Sequence, residues 1–260
     1  MKYKEIVEKY LALDKKLRSD NKISADIKKI IERGYVCCDN DGVSEHPTLL
    51  LTGINPSFSE KAGSSPGRIH EPPFTFANAT GRFWSKKHHQ FGEELKKSMA
   101  YFDLFPILET HQRGGFEKVF LEANDVRASF LEITQESIED MSPKLIIHAN
   151  RDSMFYWGIK KCGGDNDENN PWMGYKVERL TRQNTPDLPQ CMTSERLSRF
   201  PLYKIIGLID SPNRINGKKV TKTNLSYLME YVMEYRRTED KEMYLYKPHE
   251  WQEISDWLNK

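Results

Sequence analysis

Four short apolar runs set the strongest constraint on this chain: Thr48-Leu49-Leu50-Leu51-Thr52-Gly53, Tyr101-Phe102-Asp103-Leu104-Phe105, Lys144-Leu145-Ile146-Ile147-His148-Ala149 and Tyr203-Lys204-Ile205-Ile206-Gly207-Leu208-Ile209. They are nearly continuous, which is the pattern of strands covered on both faces. Segments with apolar residues at helical spacing lie between them. Strands alternating with helices predict an α/β fold, a three-layer αβα arrangement with a central four-stranded parallel sheet. The 260 residues suit one domain, 1–260, with an N-terminal helical addition over 1–40 and an insertion over 162–200.

Periodicity supplies the helices. Ile6, Tyr10, Leu13 and Leu17 mark the first, and Ser24 is placed to cap a second ahead of Ile27, Ile30 and Ile31. Others are expected over 83–97 and 128–140, around Leu225, Leu228, Met229 and Val232, and at Trp251, Ile254 and Leu258. Asp152 can cap the helix after the third strand. The acidic run at 163–170 lacks calcium-loop spacing and reads as a solvated loop.

Charge excludes little. Lys plus Arg number 39 and Asp plus Glu 38, a net of +1, which leaves room for a nucleic-acid binder only if its basic residues cluster. The four cysteines, Cys37, Cys38, Cys162 and Cys191, form no C-x-x-C pair and read as reduced, mostly buried thiols, not as ligands of an iron–sulfur cluster. No apolar run is long enough to cross a membrane, and the charged N-terminus lacks a signal-peptide core, so a cytoplasmic protein with no membrane partner is expected. His88 and His89 follow Lys86-Lys87 and read as surface histidines of a basic patch. A nucleotide-binding protein is disfavoured because neither glycine-rich phosphate fingerprint is present.

In open α/β sheets ligands bind beyond the carboxyl ends of the strands. Three loops stand at such ends: Gly53-Ile54-Asn55-Pro56-Ser57, the segment after Phe105, and Asp210-Ser211-Pro212-Asn213-Arg214-Ile215-Asn216. A G-x-N-P turn is by itself an ordinary turn. Here it is followed by Phe74-Thr75-Phe76-Ala77 and Arg82-Phe83-Trp84. The combination, over about residues 48–90, resembles the mismatch-specific uracil/thymine DNA glycosylases of the uracil-DNA glycosylase superfamily.

The resemblance implies that Asn55 is the catalytic residue, its amide carbonyl holding the water that attacks an oxocarbenium-like sugar. It implies that Phe76 stacks on the extruded base, which must leave the helix to be reached. Gly53, Ile54, Pro56, Ser57 and Asp103 would line the base site. The family's second motif is matched loosely by Ser211, Pro212, Asn213, Arg214 and Ile215, with Arg214 or Ile215 as the wedge that fills the gap in the duplex. Lys218 and Lys219 add phosphate contacts, because they follow a strand's carboxyl end and precede a helix N-terminus. His148 and Asp152 either touch DNA or cap the next helix.

The implied activity is that of a monofunctional DNA N-glycosylase acting as a monomer on double-stranded DNA with a flipped base, without metal or cofactor. Residues 60–73 lengthen the loop between Asn55 and Phe76 and carry Arg68 and His70, a polar wall suited to a bulky modified cytosine of bacteriophage DNA, hence antiviral defence. Ordinary uracil/thymine mismatch repair is the alternative, as is an inactive DNA-binding protein of the same fold.

Overall fold

The computed structural model describes residues 1–43, 46–56, 69, 73–109, 123–159, 172–210, 219–231 and 246–260, without the side chains of residues 82, 83 and 151–153. Along the chain the elements are α1 (Tyr3–Ser19), α2 (Ala25–Ile31), β1 (Leu49–Gly53), α3 (Arg82–Phe91), α4 (Glu93–Ser98), β2 (Ala100–Asp103), α5 (Asn124–Met141) and β3 (Leu145–His148). A 3-10 helix (Arg151–Trp157) follows, then β4 (Tyr175–Arg179), α6 (Ser194–Arg199), β5 (Leu202–Leu208), β6 (Tyr227–Glu230) and α7 (Pro248–Leu258).

The six strands form one mixed sheet in the order β2-β1-β3-β6-β5-β4. Pairings β1–β2, β1–β3 and β3–β6 are parallel, whereas β5 runs antiparallel to both β6 and β4. This corrects the expected four-stranded sheet twice. The run at 203–209 is a strand, but an antiparallel one. The fourth parallel strand is β6, which the spacing of Leu225, Leu228, Met229 and Val232 had marked as a helix. A short strand buried on both faces shows no alternation, so its residues mimic a helical stripe. Leu228 points into one core cluster and Met229 into the other.

The sheet separates those clusters. Leu50, Ala100, Phe102, Ile146 and Leu228 pack with Tyr10, Ile31 and Phe130 of α1, α2 and α5. Leu49, Leu51, Tyr101, Leu145, Ile147 and Met229 pack with Phe91, Leu95, Leu197 and Trp251 of α3, α4, α6 and α7. The helix expected over 83–97 is two helices, broken at Gly92 with φ +81, where a side chain would be strained and would press on Pro248 of α7 at 3.0 Å. Ser24 caps α2 as expected, its hydroxyl accepting from the Ile27 amide at 3.3 Å. The segment 162–200 is not all irregular, since it contributes β4 and α6. Cys37, Cys38 and Cys191 are buried free thiols, and no helix among the described residues is long and apolar enough to span a membrane.

Candidate active site at the carboxyl ends of the parallel strands

Strands β1, β2, β3 and β6 end side by side, so Gly53, Asp103, His148 and Glu230 share one end of the sheet. The chain leaving β1 runs beside the chain leaving β2. Leu104 and Phe105 donate their amides to the carbonyls of Gly53 and Ile54 at 3.0 and 2.8 Å, and Glu109 donates to Pro56 at 3.1 Å.

Asn55, on the first of these two segments, is buried. Its Nδ2 donates to the carbonyl oxygens of Pro56 (3.0 Å), Ile107 (3.3 Å) and Glu109 (2.8 Å). Three carbonyls require a donor, and turning the amide over would set Oδ1 against all of them. The clamp therefore fixes the direction of Oδ1 as an acceptor.

Asp103 is the register partner of Gly53. It is buried, and accepts a 2.7 Å hydrogen bond from the Tyr101 hydroxyl. Burial pushes its carboxyl up to about 7, against the opposing pull of the Tyr101 hydrogen bond and of the Lys87 charge. Lys87 of α3 is also buried. Burial lowers its ammonium to about 8 while Asp103 pulls it upward. Both groups change charge close to neutrality, a property that accompanies acid–base sites.

On the sheet's other face a polar row crosses three strands: Thr52, His148 and Glu230 are register partners and each is 0% exposed. Thr52 Oγ1 lies 2.6 Å from His148 Nδ1. Burial drives the imidazole down to about 3, so it is neutral at physiological pH. At 0% exposure His148 presents no surface to a DNA partner, the first of the two roles open to it.

Comparison with family models, curated proteins and solved structures finds no match.

Gly53, Ile54, Asn55, Pro56 and Asp103 are brought together as expected. Phe76 is not an open stacking face: it is 1% exposed. Edge-on contacts from Trp84 (5.9 Å), His88 (5.2 Å) and Phe91 (6.2 Å) surround it. His88 is not a plain surface histidine, since its Nε2 bonds the Phe76 carbonyl at 2.6 Å. Ser57, Arg68, His70, Ser211, Pro212, Asn213, Arg214, Ile215 and Lys218 lie outside the described residues, as does the side chain of Asp152.

The two grounds for phosphate contacts by Lys218 and Lys219, a preceding carboxyl end at the site and a following helix, are not met. Because β5 is antiparallel, Asp210 follows it at the end of the sheet opposite Asn55, and the element after Lys219 is a strand rather than a helix. Lys219 itself pairs with Glu136 at 3.1 Å and Glu132 at 3.8 Å on α5. Thr52, Tyr101, Lys87 and Glu230 escaped the sequence reading. For Thr52 and Tyr101 the signal was available, as polar residues inside apolar runs. Glu230 was hidden by the mistaken helix, and Lys87 by its basic neighbours.

Proposed function

We propose that this chain is a DNA glycosylase that hydrolyses the N-glycosidic bond of a flipped pyrimidine, on a three-layer αβα fold of the uracil-DNA glycosylase type. The observation that carries the reading is the clamped Asn55 amide at the carboxyl end of a central parallel strand. An acceptor of fixed direction can hold one proton of a water and aim its lone pair at the sugar C1′. As the C1′–N1 bond breaks, the base leaves as an anion with the electron pair, the water oxygen bonds to C1′, and the proton that water loses passes through solvent to the departed base. Asn55 brings no negative charge to the cationic sugar, so rate depends on holding the departing base. Asp103, protonated or ionised near neutrality, supports this reading as a polar partner for the base edge.

Four adjacent parallel strands, with α1, α2 and α5 on one face and α3, α4, α6 and α7 on the other, support the fold assignment. The rest of the reading is a monomer acting on double-stranded DNA in the cytoplasm, without metal or cofactor. The choice of base rests on the polar sequence of 60–73, which favours a glucosylated cytosine of bacteriophage DNA over ordinary uracil or mismatched thymine.

The burial of Phe76 favours a second reading, a DNA-binding protein without catalysis, since its ring offers a base no open face. Incubating the protein with duplexes containing uracil, a thymine mismatch or glucosylated hydroxymethylcytosine separates the two. Alkali-labile breaks at the lesion support the glycosylase. A mobility shift without breaks on any duplex supports the binder.

A further inference from the structure

The N-terminal helical addition looks at first like a peripheral unit, yet it reaches the backbone that clamps Asn55. Of the segment after β2, the Leu104 carbonyl accepts from Thr134 Oγ1 at 2.8 Å, and Thr134 in turn meets the Tyr10 hydroxyl of α1 at 3.0 Å. The Pro106 carbonyl accepts from the Val36 amide at 2.8 Å, and the Leu108 amide donates to Gly34 at 3.3 Å. Tyr35 and Ile107 form a β-bridge between these same stretches. The carbonyls of Ile107 and Glu109 are left pointing at Asn55, and both hold its Nδ2.

One side-chain contact locks this arrangement. Arg33, just beyond α2, forms an ion pair with Glu109. Glu109 is 4% exposed there and Arg33 26%. The Glu109 carboxylate is nearly out of water while the guanidinium keeps a quarter of its exposure, so taking the Arg33 charge away from a buried carboxylate is costly. Glu109 thus has two functions at once: its carboxylate grips the N-terminal unit and its carbonyl grips Asn55.

We infer that Arg33 and Glu109 are positioning residues for Asn55, and that the N-terminal unit is an integral part of the active site. The inference deepens the glycosylase reading, but its structural half can be tested without any activity. Removing the pair should loosen the 106–109 segment and, through its carbonyls, the Asn55 amide.

The test uses full-length protein labelled selectively with 15N-asparagine. The Asn55 side-chain signal is identified by its loss in Asn55→Asp. Arg33→Gln/Glu109→Gln removes both charges together, so that no unpaired ion remains buried. In that variant the Asn55 amide protons should exchange with solvent about tenfold faster or more, as expected for local opening, while asparagines outside this segment, such as Asn259, keep their wild-type rates. Unchanged exchange at Asn55 overturns the inference. If the double variant does not fold, Arg33→Lys, which keeps the charge but loses the guanidinium fork, takes its place with the same two outcomes. On a duplex that the wild type cleaves, the variant should lose kcat with KM retained. A wild type inactive on every duplex defeats the glycosylase reading and leaves the exchange result standing.

Discussion

A Cβ on residue 53 would lie 2.3 Å from Asp103 Oδ1 and 2.7 Å from the Tyr101 hydroxyl. Gly53 and Asp103, ending neighbouring strands, therefore share one space that only a glycine leaves open. The glycine of the G-I-N-P turn admits the carboxyl of the next strand as much as it permits a turn. Gly53→Ala should cost about 1–3 kcal/mol, the usual penalty for overfilling a packed site, read as a lower urea midpoint. Gly53→Ala/Asp103→Ala should recover part of that loss, since the Tyr101 hydroxyl still crowds the new methyl group. Equal midpoints for Gly53→Ala and the wild type would mean that the two residues do not compete for space.

Asp103 and Lys87 give a pH signature. Asp103 is raised from an ordinary 3.8 to about 7, so between those values the folded state binds the proton that the unfolded state has released. Stability from this group is present at low pH and lost as pH rises through 7. Lys87 is lowered from 10.5 to about 8, so its charged form burdens the fold at neutrality and the burden lifts as pH rises from 8 toward 10.5. The pair is least favourable near pH 7–8. Denaturant midpoints of the wild type minus those of Lys87→Met/Asp103→Asn, taken from pH 4 to 10, should pass through a minimum there. A flat difference would contradict this electrostatic picture.

His148 behaves in the opposite sense on the acid side. Its folded-state value is driven from 6.5 to about 3 by burial, so on acidification through 6.5 the unfolded chain takes up a proton that the folded chain refuses. Stability should fall between pH 6.5 and 3, and His148→Gln should flatten that slope in an acid-unfolding series. An identical slope in the variant would show that His148 is protonated in the folded state.

Thr52→Val keeps the shape of the buried strand but removes the hydroxyl beside His148 Nδ1. Leaving a buried ring nitrogen without that partner should cost about 1–3 kcal/mol, seen in thermal or urea unfolding. Thr52→Ser, which keeps the hydroxyl, should cost less than Thr52→Val.

How much of this was legible in the sequence depended on which residues carried the signal. The runs at Leu49–Leu51 and Leu145–Ile147 are apolar on consecutive positions, and such runs end where the functional groups begin, so the site's end of the sheet could be read from Gly53 and Asn55. The helices α1 and α2 followed from periodic isoleucines, tyrosine and leucines and from the Ser24 cap. β6 could not be read, because Leu228 and Met229 face opposite clusters while matching a helical stripe. The direction of β5 was also hidden: its residues read the same whether the strand is parallel or antiparallel, so the end of the sheet at which Asp210 leaves it could not be read. The Asn55 clamp depends on backbone carbonyls, at positions 56, 107 and 109, and carbonyls leave no trace in residue identity.

The measurement that bears most directly on the account is single-turnover base release by Asn55→Ala, beside wild type, on whichever duplex the wild type cleaves. The water has one proposed holder, whereas DNA binding rests on contacts spread over the surface. Asn55→Ala should bind the duplex as the wild type does and release base at least about a hundredfold more slowly, the scale of losing one positioned catalytic group. Wild-type cleavage by Asn55→Ala would contradict the account.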